Sequence, residues 1–326
     1  MIDDASNKPA ADVGVVGAGL MGHGIAQVFM LGGSTVRIWD PDPEVLRGVP
    51  SRIQGHLDLL GIEAPVRVVL ADSLAEAVAG ADLVVEAVPE SLRLKQELIA
   101  RLDRLAPDAV VTTNTSVLRI SEIAAETRRP ERVVGAHWWN PPYLVPVVEV
   151  VPGRFTSAAN TALVSGWLRA AGKTPVEVGG DVPGFIGNRM QFALLREAVS
   201  IVEQGICDAE TVDLVARTTF GSRLAAVGPL ENADFIGLDL TASILDYLAP
   251  SLSDETEVPE LIRDAVDRGR LGAKSGGGLL DWPEGARERT ERRLLAHLAE
   301  SFRTQSARAQ SSSTGDRPAT DKEHTR

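Results

Sequence analysis

The 326-residue chain has little cysteine, little histidine, a deficit of positive charge and no long apolar run. Its one cysteine, Cys207, can form neither an intrachain disulfide nor a thiolate metal cluster. The five histidines are scattered, with none of the clustered spacing that a metal site needs. Lysine and arginine number 33 against 45 acidic residues, a net charge of −12. That balance argues against nucleic acid or an anionic membrane as a main partner. No stretch reaches membrane-spanning length, and the opening MIDDASNKPAAD has no apolar signal core. The expectation is a soluble cytoplasmic protein with no bound metal. No nucleophile-elbow pattern supports a serine hydrolase.

What is present suffices for a large core. Hydrophobic residues make up 44% of the chain and mean hydropathy is +0.01. The length suggests two domains or one large one. Val13–Val16 is a short apolar strand that runs into Gly17, Ala18, Gly19, Leu20, Met21 and Gly22, then into the helical pattern GIAQVFMLGG. Strand, G-x-G-x-x-G and helix form a dinucleotide-binding arrangement. Gly17 permits the tight turn, Gly19 lets the backbone approach a pyrophosphate, and Gly22 lets the helix pack closely. The next strand, Ser34–Trp39, ends in Asp40, 18 residues after Gly22. A carboxylate there accepts from ribose hydroxyls and repels a 2′-phosphate, which favours NAD over NADP.

Strands then alternate with helical patterns. Strands are expected at Val66–Leu70, Leu83–Val88 and Ala109–Thr113, and helices at Ser73–Ala79 and Ser91–Leu105. Such alternation implies an α/β fold with a Rossmann-type, doubly wound sheet. Ligands bind beyond the carboxyl ends of such strands, where Asp40, Glu90, Ser116 and His137 all fall. The linker GGDVPG, starting at Gly179, precedes a change of composition. The expected organisation is a disordered N-terminus (1–11), an NAD-binding domain (12–182), an all-α C-terminal domain (183–302) and a disordered tail (303–326). Within the helical part, Asp208 reads as an N-cap, Asn232–Leu248 as one helix, and Gly272–Gly278 as a flexible basic loop.

The stretch Val133–Val151, VVGAHWWNPPYLVPVVEVV, ends one β-branched run in His137 and sets a lone carboxylate, Glu149, inside the next. A charge there is costly to bury unless a cation faces it. His137 is the nearest candidate, and a His–carboxylate pair suits general acid–base chemistry. The plainer alternative is an edge strand with Glu149 in solvent and His137 merely packed. Ser116 likewise has a plainer reading, as N-cap of a helix over Val117–Ala125. His23, His56, His297 and His324 read as surface or packing residues.

The motifs GAGLMGHGIAQ, DLVVEAVPE, NTSVL, GAHWWNPP, VPVVEVV, DVPGFIGNRM, GPLENADFIGLD and GAKSGGG, in this order, resemble those of the L-3-hydroxyacyl-CoA dehydrogenase family. The resemblance implies reversible hydride transfer between NAD and C3 of an L-3-hydroxyacyl substrate, as in fatty acid metabolism. It implies His137 as base, Glu149 as its orienting partner, and Ser116 and Asn188 as substrate contacts that complete the catalytic set. Cofactor contacts would fall on Asp40, Glu90, Lys95, Asn140 and Lys274, beside the loop Gly17, Gly19, Leu20, Met21 and Gly22. A homodimer through the C-terminal domain is also implied.

Two features depart from the fatty-acid pattern. The arm between Asp40 and Val66 is short, and Arg47 and Arg52 are its only basic residues. Coenzyme A phosphates call for more positive charge. Trp138 and Trp139 replace the usual phenylalanines and are the expected substrate contacts. NPPYLVP and NRMQFALLREAVSIVEQGICD resemble the branch that contains L-gulonate 3-dehydrogenase (lambda-crystallin) and carnitine dehydrogenase. That branch acts on free hydroxy acids, for which Arg189, Arg196 and Arg223 are candidate carboxylate partners. Three readings follow: a dehydrogenase of 3-hydroxyacyl-CoA, of the 3-hydroxybutyryl-CoA kind; the same chemistry on a free 3-hydroxy acid; or a non-catalytic NAD-binding protein.

Overall fold

The computed structural model describes residues 12–314 and the side chains of residues 12–304. The expected disordered segments 1–11 and 315–326 lie outside the described residues. The strands are β1 (Asp12–Val16), β2 (Thr35–Trp39), β3 (Val68–Leu70), β4 (Leu83–Glu86), β5 (Val110–Thr113), β6 (Val133–Trp138), β7 (Val147–Pro152) and β8 (Thr174–Glu177). They form one eight-stranded sheet in the order β3-β2-β1-β4-β5-β6-β7-β8. Strands β1 to β6 are parallel, β7 runs antiparallel to β6, and β8 is parallel to β7. Strand order reverses between β1 and β4, which opens a crevice at their carboxyl ends.

The helices that follow β1 to β7 are α1 (Gly22–Leu31), α2 (Pro43–Arg47), α3 (Val49–Leu60), α4 (Leu74–Val78), α5 (Leu92–Leu105), α6 (Ile120–Ile123) and α7 (Ala158–Ala170). The two-residue period of the strands divides the core into two layers. Val13 and Val15 of β1 pack with Ile25, Phe29, Ile53 and Val164 on one face. Val16 packs with Ala77, Val84, Ile99 and Ile120 on the other. A strand buried on both faces must be apolar throughout, which is why the central strands read as unbroken Val/Leu runs. The edge strand β8 is largely exposed and carries Pro175, which weakens it as a template for further pairing.

In the arm, Asp42 caps α2 by accepting from Glu44 N and Val45 N. Pro50 lies in the first turn of α3, where its missing N–H costs nothing. Gly61 ends α3 in the left-handed conformation, φ 67°. Val49, Ile53 and Leu57 of α3 are fully buried in the layer shared with α1. The arm is therefore a packed flank of the sheet.

After β8 the described chain is helical: α8 (Gly187–Glu203), α9 (Ala209–Thr218), α10 (Phe220–Leu224), α11 (Pro229–Ile236), α12 (Leu238–Leu248), α13 (Glu260–Asp267) and α14 (Ala286–Thr314). The chain thus combines a Rossmann-type sheet with an all-helical second part. The described residues divide into two compact units, one comprising 12–188 and 295–314, the other 189–294. Asp208 caps α9 through Thr211 N, as its sequence position suggests.

Three expectations are corrected. The helix expected over Asn232–Leu248 is two helices, because Gly237 at φ 100° breaks it. The Gly272–Gly278 loop is a turn with β-bridges Gly272–Gly277 and Gly277–Asp281, latched by Arg270 on Gly278 O and Asp281. Helix α14 continues past residue 303, where a disordered tail was expected to begin, as far as Thr314. Ala299 of α14 is fully buried in the core layer that holds β1 and α1, with Leu295, Leu298 and Phe302 packed against it. Those contacts fix the part of α14 that precedes residue 303, from which the helix runs on.

Candidate active site

The glycine loop lies at the end of β1. Gly17 has φ 97°, and a Cβ there would meet Ala87 O at 2.6 Å; one at Gly22 would meet Gly17 O at 1.7 Å. No residue with a side chain fits at either place. Gly19 is different, because nothing lies within 4 Å of where its Cβ would be. That space is what a ligand approaching the backbone requires. Asp40 fastens the loop, its Oδ2 accepting from Ala18 N at 2.7 Å and its Oδ1 from Asp42 N at 2.9 Å.

A cleft of about 690 Å³ opens here. Gly17, Gly19, Leu20, Met21, Asp40, Glu90 and Ser116 all line it, together with Asn114 and Arg101. The N-terminus of α1, a ten-residue helix, begins at the loop and offers unpaired N–H groups and a positive dipole end to a phosphate. A loop with open space over Gly19, a carboxylate at the end of β2 and a cleft of this size fit a dinucleotide.

A buried cluster supports the cleft from below. Glu86 ends β4 with no exposed surface, and neither has Lys95 of α5. Lys95 Nζ donates to both Glu86 oxygens, at 2.8 and 3.0 Å. Thr113 Oγ1 at 2.5 Å and Val88 N at 2.8 Å complete the carboxylate's partners. Burial pushes the Glu86 pKa up, and Lys95, Thr113 and Val88 pull against it. The direct cofactor contact expected of Lys95 is thus corrected, since its ammonium has no surface to offer. It lies 3.5 Å from Glu90 Oε2, 3.4 Å from Val88 O and 3.3 Å from Asn114 O, and reaches the cleft only through those lining residues. Glu90 in turn binds Thr115 Oγ1, Ser116 N and Val117 N at 2.6, 2.8 and 3.2 Å. Burial opposes ionisation of Glu90, but these donors and Lys95 outweigh it and hold its pKa below the ordinary value.

The second cluster lies between β6 and β7. His137 and Glu149 are direct cross-strand partners, with Nδ1 2.7 Å from Oε2 and each residue 3% exposed. β7 is flanked on both sides, so the edge-strand alternative with Glu149 in solvent does not hold. The other oxygen, Oε1, accepts from Ile186 N at 2.9 Å and Gly187 N at 3.0 Å, where α8 begins. Gly184 (φ 73°) and Phe185 (φ 50°) form the left-handed turn before those two residues. For a phenylalanine that conformation costs about 1–2 kcal/mol. Burial opposes the Glu149 charge, but the hydrogen bonds from His137, Gly187 and Ile186 prevail and keep its pKa below the ordinary value.

Asn188 Nδ2 donates to Ser116 O at 2.8 Å, which ties the start of α8 to the loop after β5. Helix α6 begins at Ile120 with Arg119 as its N-cap, so Ser116 is not a helix cap and stands exposed. His137, Glu149, Ser116 and Asn188 are therefore joined by a short chain of contacts through residues 186–188.

Alternation along β6 separates the tryptophans. Trp139 lies 4.9 Å from the His137 ring. It packs so tightly on α8 that a Cβ at Gly187 would come within 2.2 Å of its ring. Trp138 points the other way into the core, 3% exposed and edge-on to Phe29. The substrate contact expected of Trp138 is corrected accordingly. Asn140 is exposed and precedes a cis peptide bond to Pro141. Lys274 is exposed on the turn of the second unit.

Sequence reasoning missed Glu86, Asn114 and the residue 184–187 clamp. Asn114 Oδ1 accepts from Trp138 N at 3.1 Å and fixes the end of β6. The signal for Glu86 was available: LVVE places a lone acid at the end of an apolar strand, as VVEVV does for Glu149.

A nucleotide cleft at the switch point of a Rossmann-type sheet, with a buried His–Glu pair nearby, defines an NAD-dependent oxidoreductase. Residues 12–182 match the 3-hydroxyacyl-CoA dehydrogenase NAD binding domain, and residues 184–282 match the C-terminal domain of the same family. The chain belongs to the 3-hydroxyacyl-CoA dehydrogenase family.

Three relatives illustrate its breadth. A 5-formyl-3-hydroxy-2-methylpyridine 4-carboxylate 5-dehydrogenase from Mesorhizobium japonicum is 36% identical over 82% of this chain and 89% of its own length. An L-carnitine dehydrogenase from Nocardiopsis dassonvillei is 40% identical over 82% and 85%. A probable 3-hydroxybutyryl-CoA dehydrogenase from Bacillus subtilis is 38% identical over 83% and 96%. A solved structure of the pyridine-carboxylate enzyme, described as an NAD+ dependent dismutase, superposes with a TM-score of 0.86 at 34% identity. It covers 90% of this chain and 98% of its own. Among the described residues, no helix is long and apolar enough to cross a membrane.

Proposed function

We propose that the chain is an NAD-dependent dehydrogenase of a small free hydroxy acid, with His137 as the acid–base and Glu149 as its orienting partner. When bound in the cleft, NAD would supply the hydride acceptor or donor for the substrate carbon. Because Nδ1 of His137 faces Glu149, Nε2 is the nitrogen left for the substrate hydroxyl. An ionised Glu149 holds the Nδ1–H tautomer and stabilises the imidazolium formed when Nε2 takes the proton. Ser116 and Asn188 would hold the substrate oxygen in line, and Trp139 would wall the substrate side. Asp40, Glu90, Asn140 and Lys274 complete the proposed cofactor contacts, together with the glycine loop.

The observation that carries the choice of substrate is the state of the arm. Arg47 is paired with Glu44. Arg52 donates to Val45 O at 2.5 Å and Gly48 O at 3.2 Å, with its third nitrogen 3.3 Å from His23. Arg52 is thus engaged within the arm, and Arg47, though 61% exposed, has its charge offset by Glu44, so the arm offers little free positive charge to coenzyme A phosphates. Relatives named for pyridine carboxylate and carnitine point the same way. An acyl-CoA substrate is the second reading, supported by the family description and the Bacillus subtilis relative.

The test follows reduced nicotinamide absorbance with 3-hydroxybutyryl-CoA, 3-hydroxybutyrate, L-gulonate and carnitine, each with NAD and NADP. Turnover of free acids with NAD is expected. Turnover of the thioester alone would overturn the free-acid reading, and faster turnover with NADP would remove the role given to Asp40. Tight NAD binding without any turnover would favour a non-catalytic protein.

We also read the enzyme as a cytoplasmic homodimer. The lone cysteine suits a reducing compartment. In the second unit Val199 is the one fully buried large apolar side chain among the described residues, while Leu230, Phe235 and Tyr247 are 83%, 85% and 91% exposed. A unit with so little core of its own gains stability when a second copy covers those faces.

A further inference from the structure

Helix α1 carries a histidine that the glycine-loop chemistry does not demand. His23 follows Gly22, is 5% exposed, and sets Nδ1 2.5 Å from Gly19 O. A carbonyl only accepts, so Nδ1 carries the proton and donates. Arg52 Nη1 lies 3.3 Å from the same nitrogen. A guanidinium also only donates, so in this tautomer that contact is no hydrogen bond and acts as a positive charge beside the ring. Burial lowers the His23 pKa, the Gly19 hydrogen bond opposes the change, and Arg52 lowers it further.

The ring belongs to a row. His56 of α3 stacks on His23 at 5.1 Å, and Tyr143 stacks on His56 at 3.9 Å. His56 Nδ1 is 2.8 Å from Gln27 Oε1 on α1. Burial, His23 and Arg52 push its pKa down to about 4, so it is neutral at neutral pH. Tyr143 sits in the turn that leaves His137 and Trp139. The turn meets α1 so closely that a Cβ on Gly24 would come within 2.6 Å of Pro142. Lys173 secures the same turn through Pro142 O at 2.6 Å and Val145 O at 2.9 Å. Three rings therefore run from the carbonyl of the glycine loop to the turn behind His137.

In a trans peptide the carbonyl and the next N–H point in opposite directions. Holding Gly19 O against His23 turns Leu20 N–H away from His23, and Leu20 lines the cleft. We propose that His23 is a positioning residue for the dinucleotide. Its Nδ1–H holds back the Gly19 carbonyl so that the loop presents N–H groups to the pyrophosphate, and His56 and Tyr143 tie the loop to the turn after His137. The proposal rests on NAD binding and not on which substrate is used.

Titration of NADH fluorescence, with thermal melting as control, tests it. His23→Phe keeps a ring but removes the donor, and its Kd for NADH rises about tenfold, the worth of one net hydrogen bond. His23→Asn puts an amide nitrogen near the place of Nδ1 and brings the Kd back to within about threefold of the parent. His56→Leu raises the Kd less, and combining it with His23→Phe gives a Kd at least about threefold below the product of the single effects. An unchanged Kd in His23→Phe, an Asn variant no better than the Phe variant, or independent effects in the double variant would each overturn the proposal.

Discussion

Glu86 and Glu149 are two carboxylates buried at the crevice end of one sheet, and their surroundings differ. Glu86 faces the Lys95 ammonium, with Thr113 and Val88 as further donors. Glu149 faces His137, an imidazole with a second ring nitrogen free of Glu149, and is held by two backbone N–H groups with no hydroxyl donor. The first arrangement is a fixed ion pair and acts as a floor. The second can store and release a proton while its carboxylate stays ionised. Backbone donors suit that task, since they hold Glu149 whether or not the imidazole is protonated. The comparison separates structural from catalytic use of the same buried acid.

The sharpest way to break it is Glu149→Gln. The amide keeps the acceptor for Ile186 and Gly187 but turns an NH₂ group toward Nδ1, which favours the wrong tautomer of His137. The hydride-transfer rate should fall by about a thousandfold, with the Kd for NADH nearly unchanged. Stopped-flow measurement of the single-turnover rate checks this, and a rate near the parent's would remove the pair from the mechanism.

Lys95→Met attacks the other pair. It strands Glu86 in the core and should cost about 3–5 kcal/mol of stability, read from urea unfolding midpoints. Adding Glu86→Gln should recover part of the loss. A single variant within about 1 kcal/mol of the parent would show that Glu86 is accommodated without its cation.

The smallest effect concerns pH. The folded pKa of Glu149 is depressed, so its ionised contacts contribute stability above the ordinary carboxylate range. That contribution is lost as pH falls through the depressed value. The melting-temperature gap between the parent and Glu149→Gln should therefore narrow as pH falls below about 5, from the ordinary carboxylate value down through the depressed one. A constant gap would mean that the charge of Glu149 adds nothing to the fold.

Legibility in the sequence followed the same division. The His137–Glu149 pair was readable because both members end or interrupt apolar strands that lie next to each other in the chain. Lys95 was misread as a cofactor contact because its carboxylate partner sits nine residues back, on a strand it meets only when α5 packs on the sheet. Trp138 was misread because two adjacent tryptophans look equivalent until the pleat sends them to opposite faces. Arg52 reads in the sequence as available charge, and its engagement with backbone carbonyls appears only in the packed arm.

The sequence by itself determined the alternation of strand and helix, the glycine loop, the acid after β2 and the His–Glu pair. These depend on local periodicity and on neighbours along the chain. Only the tertiary structure decided which side chains are buried together: Glu86 with Lys95, Glu149 with the 186–187 amides, and His23 with His56 and Tyr143. The reason is physical. A side chain's hydrogen-bonding capacity is visible in its letter, but its partner is chosen by burial, and burial is a property of the assembled core.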